Sequence, residues 1–201
     1  MKISLAIPYH DTPNTAFYLS RLLGSLSQQN FKDYEVVLAK DGNFARNHNS
    51  TIHRSKGEFV QMLGMDDYFP DPDALGRIVA GLETGAIWQI SACVHDINGA
   101  ISNPHIPQWT DNIYTGNNRL GSVSTLSFRR ENALFFEEPL TWLVDVDLYY
   151  RLFLKYGEPF INKNFNLVIN GNEHRLTHTL SSQIKEEEVQ YLHKKYVNSK
   201  N

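Results

Sequence analysis

Cysteine is almost absent: Cys93 is the single one in 201 residues, which excludes an internal disulfide framework and a Cys-rich zinc module. Its setting, the apolar run Ile90-Ser91-Ala92-Cys93-Val94, predicts a small buried core residue. No apolar run approaches ~18 residues, so no membrane span is expected. The opening Met1-Lys2-Ile3-Ser4-Leu5-Ala6-Ile7-Pro8 is too short an apolar stretch for a signal peptide. Neither sign of charge dominates, since 19 Lys and Arg stand against 22 Asp and Glu for a net −3. That balance argues against nucleic-acid phosphates or anionic lipid as the main partner. Gly-rich phosphate loops are missing too: there is no G-x-x-x-x-G-K and no G-x-G-x-x-G. These absences describe an expected cytoplasmic protein with no membrane span and no nucleic-acid partner.

What is present is a regular alternation. Residues 3–7 form a continuous apolar run closed by Pro8, the pattern of a strand buried on both faces. Asn14 or Thr15 can cap a following helix, in which Ala16, Leu19, Leu22, Leu23 and Leu26 recur at helical spacing. Strands are expected at 35–39, 59–63 and 87–94, with a helix at 73–82. Strands alternating with helices imply a mostly parallel α/β sheet with right-handed crossovers. Residues 98–121 show no period and are expected to form a long loop, of the kind that often binds ligands. Beyond it, 123–129 reads as a strand and 145–156 as a helix stopped by Gly157. A short strand at 165–169 and a charged amphipathic helix at 185–196 complete the chain. No linker divides it, so 1–201 is expected to be one domain.

The first three expected strands all end in polar or acidic residues: Tyr9-His10-Asp11, Asp41-Gly42-Asn43 and Asp66-Asp67. Turn chemistry alone accounts for any one of these loops. Together they form an acidic rim where open parallel sheets collect their ligands, at the strands' carboxyl ends. Adjacent aspartates repel unless a cation lies between them and something anionic. Oxygen ligands suit a hard ion, Mg²⁺ or Mn²⁺, which bridges one or two carboxylates to substrate phosphates. With no Gly-rich loop, a metal-held diphosphate is the more plausible ligand.

The order of motifs resembles the GT-A-fold glycosyltransferases of family 2. Pro8-Tyr9-His10 resembles their first turn, and Ser25-Leu26-Ser27-Gln28-Gln29 their Ser-Leu-x-x-Gln helix. Lys40-Asp41-Gly42-Asn43 is similar to their Asp-Asp-Gly-Ser, and Arg46-Asn47-His48-Asn49 to their Arg-Asn element. Lys56-Gly57-Glu58-Phe59 and Gly64-Met65-Asp66-Asp67 follow where the family has Lys-Gly-Glu-Tyr and Asp-x-Asp. Ser127-Phe128-Arg129-Arg130 and the Val144-Asp145-Val146-Asp147-Leu148 segment resemble its later elements, so the likeness spans about residues 2 to 182. Three departures stand out. Gly64 replaces the first aspartate of Asp-x-Asp, Lys40 replaces the first acid of the nucleotide loop, and a helix–strand unit is missing after Asp41.

The resemblance implies a trimmed GT-A Rossmann-like fold. Residues 1–97 would be the nucleotide-sugar half, 98–182 the acceptor half and 183–201 a C-terminal helix. It implies an inverting, metal-dependent transfer from a nucleotide-diphospho sugar, UDP-linked for preference, to an acceptor hydroxyl of unknown identity. Pro8, Tyr9, His10 and Asp41 would line the base pocket, Arg46 and Asn49 would help hold the nucleotide, and Asp66 would touch the ribose. Asp67, with Asp66 and the late His178, would hold Mn²⁺ or Mg²⁺. Trp142 and Trp109 are candidate sugar-stacking residues at the acceptor. Asp145 is the candidate base, because an inverting transfer needs one carboxylate to take the acceptor proton. A leaving diphosphate neutralised by metal needs no general acid, unlike the paired carboxylates of glycosidases. Asp145 also suits a helix N-cap, and Asp147 is expected to pair with Arg151 one turn later. Two other readings compete: a catalytically silent nucleotide- or sugar-binding module, and a nucleotidyltransferase, which would want a basic Gly-rich loop after the first strand.

Overall fold

A computed structural model describes residues 1–171 and 180–197. All six residues of β1 (Ile3–Pro8) are buried, as its unbroken apolar run requires. It pairs in parallel with β2 (Tyr34–Ala39) on one edge and β3 (Phe59–Met62) on the other. β6 (Leu126–Arg129) runs antiparallel to β3 and joins it to β4 (Trp88–Ile97). β4 carries β6 and then β5 (Ala100–His105) along one edge, and β7 (Phe160–Asn170) in parallel along the other. Five of the seven strands, all but β5 and β6, therefore run in one direction. The fold is α/β with a mostly parallel central sheet.

Period-2 alternation sends side chains of one strand to two cores. Ile3, Leu5 and Ile7 pack with Leu22 and Leu26 of α1 (Thr15–Ser27) and Leu75, Ile78 and Leu82 of α3 (Ala74–Glu83). Ala6, Val60 and Met62 face the opposite layer. There they meet Ala45 and Ile52 of α2 (Phe44–Arg54), Leu148, Tyr149 and Leu152 of α4 (Val144–Tyr156), and Leu192 and Tyr196 of α5 (Ser182–Val197). Helices thus cover both faces, and each fully buried aliphatic side chain contributes about 1.5–3 kcal/mol. A single helix, α2, makes the whole connection from β2 to β3, in keeping with a shortened fold. Among the described residues no helix is long and apolar enough to cross a membrane.

Several elements differ from the sequence expectation: the helix α2 was not foreseen, and residues 123–125 form a 3-10 turn ahead of β6 where a strand was expected over 123–129. Residues 98–121 do not form one loop: Ala100–His105 returns as β5, hairpinned onto β4 with Ile97 opposite Ala100. The two turn residues, Asn98 (φ 54°) and Gly99 (φ 87°), both lie in the left-handed region. Asn-Gly is the dipeptide that favours such a turn, so a local signal was there to be read. The strand expected at 165–169 is also longer, because β7 follows β4 from Phe160 onward through register shifts near Ser91 and Ala92.

Candidate active site

The carboxyl ends of β1 and β2 lie side by side, with the Tyr9 N–H donating to Ala39 O at 2.9 Å. Asn47, buried on α2, ties the two loops together. Its Nδ2 donates to Tyr9 O at 3.2 Å and its Oδ1 accepts the Asp41 N–H. Pro8, Tyr9, His10 and Asp41 therefore belong to one rim. The Asp41 carboxylate accepts from Ser50 Oγ and, at 2.8 Å, from Arg54 Nη2. His10 is exposed, its carbonyl held by Thr15 Oγ1 at 2.8 Å. The other two candidates on α2 point elsewhere. Arg46 turns outward to Glu138 at 2.9 Å, and Asn49 clamps the Phe136 backbone through both ends of its amide, at 2.9 and 2.8 Å. Asn47 was legible only as a polar residue within the Arg-Asn element; its bridging role depends on the α2–sheet packing.

Asp66 and Asp67 follow β3 in a turn fixed from three sides. Tyr68 exchanges two backbone hydrogen bonds with Val168 of β7, at 3.1 and 2.8 Å. Arg21 of α1 donates to Asp66 O at 2.6 Å and to Asp96 Oδ2, at the end of β4, at 2.8 Å. Ser124 accepts the Gly64 N–H at 2.8 Å and donates to Asp67 Oδ2, while Asp67 Oδ1 accepts the Asn170 N–H at 2.8 Å. Asp67 is buried, whereas Asp66 is partly open and takes a 3.0 Å hydrogen bond from Asn170 Nδ2 on Oδ2. Arg21, Ser124 and Asn170 come from distant parts of the chain, and no local pattern marks them.

Asp66 and Asp67 line a cavity of about 520 Å³ together with Asp145, at the first turn of α4. Trp142, Phe44, Asn118, His95 and His105 share its walls, and Cys93, buried as expected, lies at its back. Burial pushes the Asp145 carboxyl up to about 7, against the lowering effect of its hydrogen bond from the Val146 N–H at 2.8 Å. His95 Nδ1 lies 2.8 Å from Asn103 O. His105 Nε2 is buried and meets no hydrogen-bonding partner among the described residues. Neither histidine was singled out from sequence, because the hairpin that carries His105 beside β4 was not foreseen. Trp109 lies outside the cavity, packed on Trp88 and Phe153, with its Nε1 donating to Asp111 at 2.9 Å. His178 lies outside the described residues.

The chemistry of the acidic turn fits a hard divalent cation. The Asp66 Oδ1 and Asp67 Oδ2 oxygens converge above Gly64, at 3.1 and 2.9 Å from the point where a Cβ would stand. Among the described residues no group of three or more His, Cys, Asp or Glu could hold a metal by itself. Asp66, partly open to the cavity, with buried Asp67 beside it, suits an ion that completes its shell with substrate phosphates and water.

No family model matches the sequence, and no curated protein matches it. Solved structures do resemble it. Staphylococcus aureus TarS, residues 1–349, is 19% identical with a TM-score of 0.66, over 99% of this chain and 73% of that one. The same TarS fragment in complex with UDP-GlcNAc aligns at 17% identity and a TM-score of 0.65, over 98% and 73%. The mannosyltransferase PcManGT from Pyrobaculum calidifontis, in complex with GDP-Man and Mn²⁺, is 12% identical with a TM-score of 0.60, over 86% and 58%. Glucosyl-3-phosphoglycerate synthase from Mycobacterium tuberculosis, in complex with Mg²⁺ and UDP, is 13% identical with a TM-score of 0.60, over 96% and 78%. At these identities the likeness establishes the fold, which is that of the GT-A glycosyltransferases.

Proposed function

We propose that this chain transfers a sugar, with inversion, from a UDP-linked nucleotide-diphospho sugar to an acceptor hydroxyl, using Mn²⁺ or Mg²⁺. One observation carries the reading: Asp145, at the first turn of α4, lines the same cavity as Asp66 and Asp67. A silent binding module has no use for such a base. The neighbours in fold that hold UDP-GlcNAc, GDP-Man with Mn²⁺, or UDP with Mg²⁺ support the donor class and the ion.

In this reading the rim of Pro8, Tyr9, His10 and Asp41 receives the base, and Asp66 reaches the ribose. Asp66 and Asp67 would hold a divalent ion, which would supply charge neutralisation for the leaving diphosphate. His178 is a further candidate ligand. Asp145 accepts the proton of the acceptor hydroxyl as that oxygen attacks the anomeric carbon. A base titrating near neutrality combines a useful ionised fraction with real proton affinity. Trp142 offers an apolar face for the acceptor.

The test is a panel of nucleotide sugars and glycan acceptors with Mn²⁺ present. Asp145→Asn keeps the side chain's size and is expected to bind UDP normally. Transfer should fall by ~10²–10⁴, roughly 3–5.5 kcal/mol of barrier. Normal turnover in this variant would remove Asp145 from the chemistry. Absence of transfer by the wild type from every donor would overturn the enzyme reading.

A further inference from the structure

The helix that presents Asp145 has no cap of its own. Leu143 occupies the N-cap position of α4 and offers no side-chain acceptor, while within the first turn Asp145 Oδ1 takes the Val146 N–H at 2.8 Å. The backbone just before that turn is held from α5. Glu188, only 7% exposed, takes the Thr141 N–H on Oε1 at 2.7 Å. Its Oε2 takes the Trp142 and Leu143 N–H groups at 2.9 and 2.8 Å. One carboxylate thus gathers three successive backbone amides just before a helix N-terminus, where negative charge is favoured. Thr141, Trp142, Leu143 and Asp145 all line the cavity.

A second point of attachment lies one turn further along α4. Asp147, fully buried, accepts from Lys195 Nζ at 2.7 Å and from the Tyr196 hydroxyl, both on α5. Leu192, also fully buried, lies between these polar contacts on α5 and seats that helix in the core beside α4. The cavity wall bearing Trp142 and Asp145 is therefore set from a helix more than 40 residues away in sequence.

We propose that Glu188 is a positioning residue: by fixing the backbone at 141–143 it sets where Trp142 and Asp145 stand relative to the acceptor. The proposal rests on the transfer reading of the cavity, and it makes α5 part of the catalytic apparatus. Glu188 touches no reacting atom and should act on turnover without acting on donor affinity.

The experiment compares wild type, Glu188→Ala and Glu188→Gln by amide hydrogen exchange, UDP binding with Mn²⁺, and steady-state transfer. In Glu188→Ala the amides of 141–143 should exchange at least about tenfold faster while the β1 and β3 amides keep their protection. UDP affinity should be unchanged, and kcat should fall by about 10- to 100-fold through misplacement of the base. Gln has one acceptor oxygen, can serve Trp142 and Leu143, and should restore part of both exchange protection and kcat. It also serves as the test variant if the alanine form melts early. Unchanged protection at 141–143, or lost protection with undiminished kcat, would overturn the proposal. If the wild type transfers no sugar, the transfer reading fails separately, and the exchange data still decide whether Glu188 anchors the turn.

Discussion

Gly64 and Asp67 stand so close that a side chain on the glycine would collide with the aspartate. An ideal Cβ there lies 2.9 Å from Asp67 Oδ2, with Asp66 Oδ1 at 3.1 Å and Ser124 Oγ at 3.2 Å. Restoring the first acid of Asp-x-Asp should therefore harm this chain. Gly64→Asp pushes against a carboxylate already held by Ser124 and Asn170, and it adds a third negative charge. A loss of roughly 1–3 kcal/mol in urea unfolding is expected, typical of overpacking. A more stable variant with tighter Mn²⁺ binding would contradict the geometry.

Nucleotide binding should be linked to metal. UDP at ~100 times its dissociation constant should stabilise the fold by roughly 2.7 kcal/mol. Most of that gain should vanish with EDTA, or in Asp66→Ala, whose Oδ1 faces the space above Gly64. Calorimetry with and without chelator reads this directly, and chelator-independent UDP binding would count against the assigned ion.

Asp145 should trade stability for reactivity. Its carboxyl is raised to about 7 in the folded chain from an ordinary 3.8. Between those values the unfolded chain gives up its proton and the folded chain keeps it, so stability falls as pH rises from about 4 to about 7. Asp145→Asn abolishes that loss. The variant should match wild type near pH 4 and exceed it above pH 7, by an amount on the order of 3 kcal/mol. Transfer by the wild type should meanwhile rise through an apparent pKa near 7. Denaturant titrations across pH and a pH–rate profile test the two halves separately.

His48 predicts a loss of stability on the acid side. It is buried, stacked on the Phe44 ring with centroids 3.9 Å apart and tilted against the Phe136 ring at 4.9 Å, and its Nδ1 lies 2.8 Å from Phe44 O. Burial lowers its pKa to about 4 from 6.5. The folded state therefore resists a proton that the unfolded state accepts, and the contribution present above 6.5 is lost as pH falls toward 4. The loss should be on the order of 3 kcal/mol, and His48→Phe should flatten that part of the stability–pH curve. An unchanged curve would mean that the folded chain takes up the His48 proton as readily as the unfolded chain does.

Much of the fold was legible locally. Continuous apolar runs ended by Pro8 and Gly64 mark β1 and β3, because a strand buried on both faces needs no alternation, and the run before Lys40 marks β2, an edge strand that leaves Val36 and Leu38 exposed. Asp41, Asp66 and Asp67 fall at those strand ends in the sequence itself. The Asp147–Arg151 pair, at 2.7 Å, follows from helical spacing. The β4–β5 hairpin was equally local in its Asn98-Gly99 turn, though the aperiodic composition around it reads as loop.

Packing decided the rest. Asp145 and Asp66 are 79 positions apart, yet they line one cavity because α4 seats against the sheet at the carboxyl end of β3. Asn49 and Asn47 are interchangeable by composition, but only the helix's orientation turns one to Phe136 and the other to Tyr9 and Asp41. Lys195, Tyr196 and Glu188 reach α4 from a helix whose own sequence shows only a charged amphipathic surface. Periodicity reports which face of an element is apolar. Hydrogen-bond partners and burial, which set the Asp145 pKa and the shape of the cavity, depend on what the tertiary structure brings against that face.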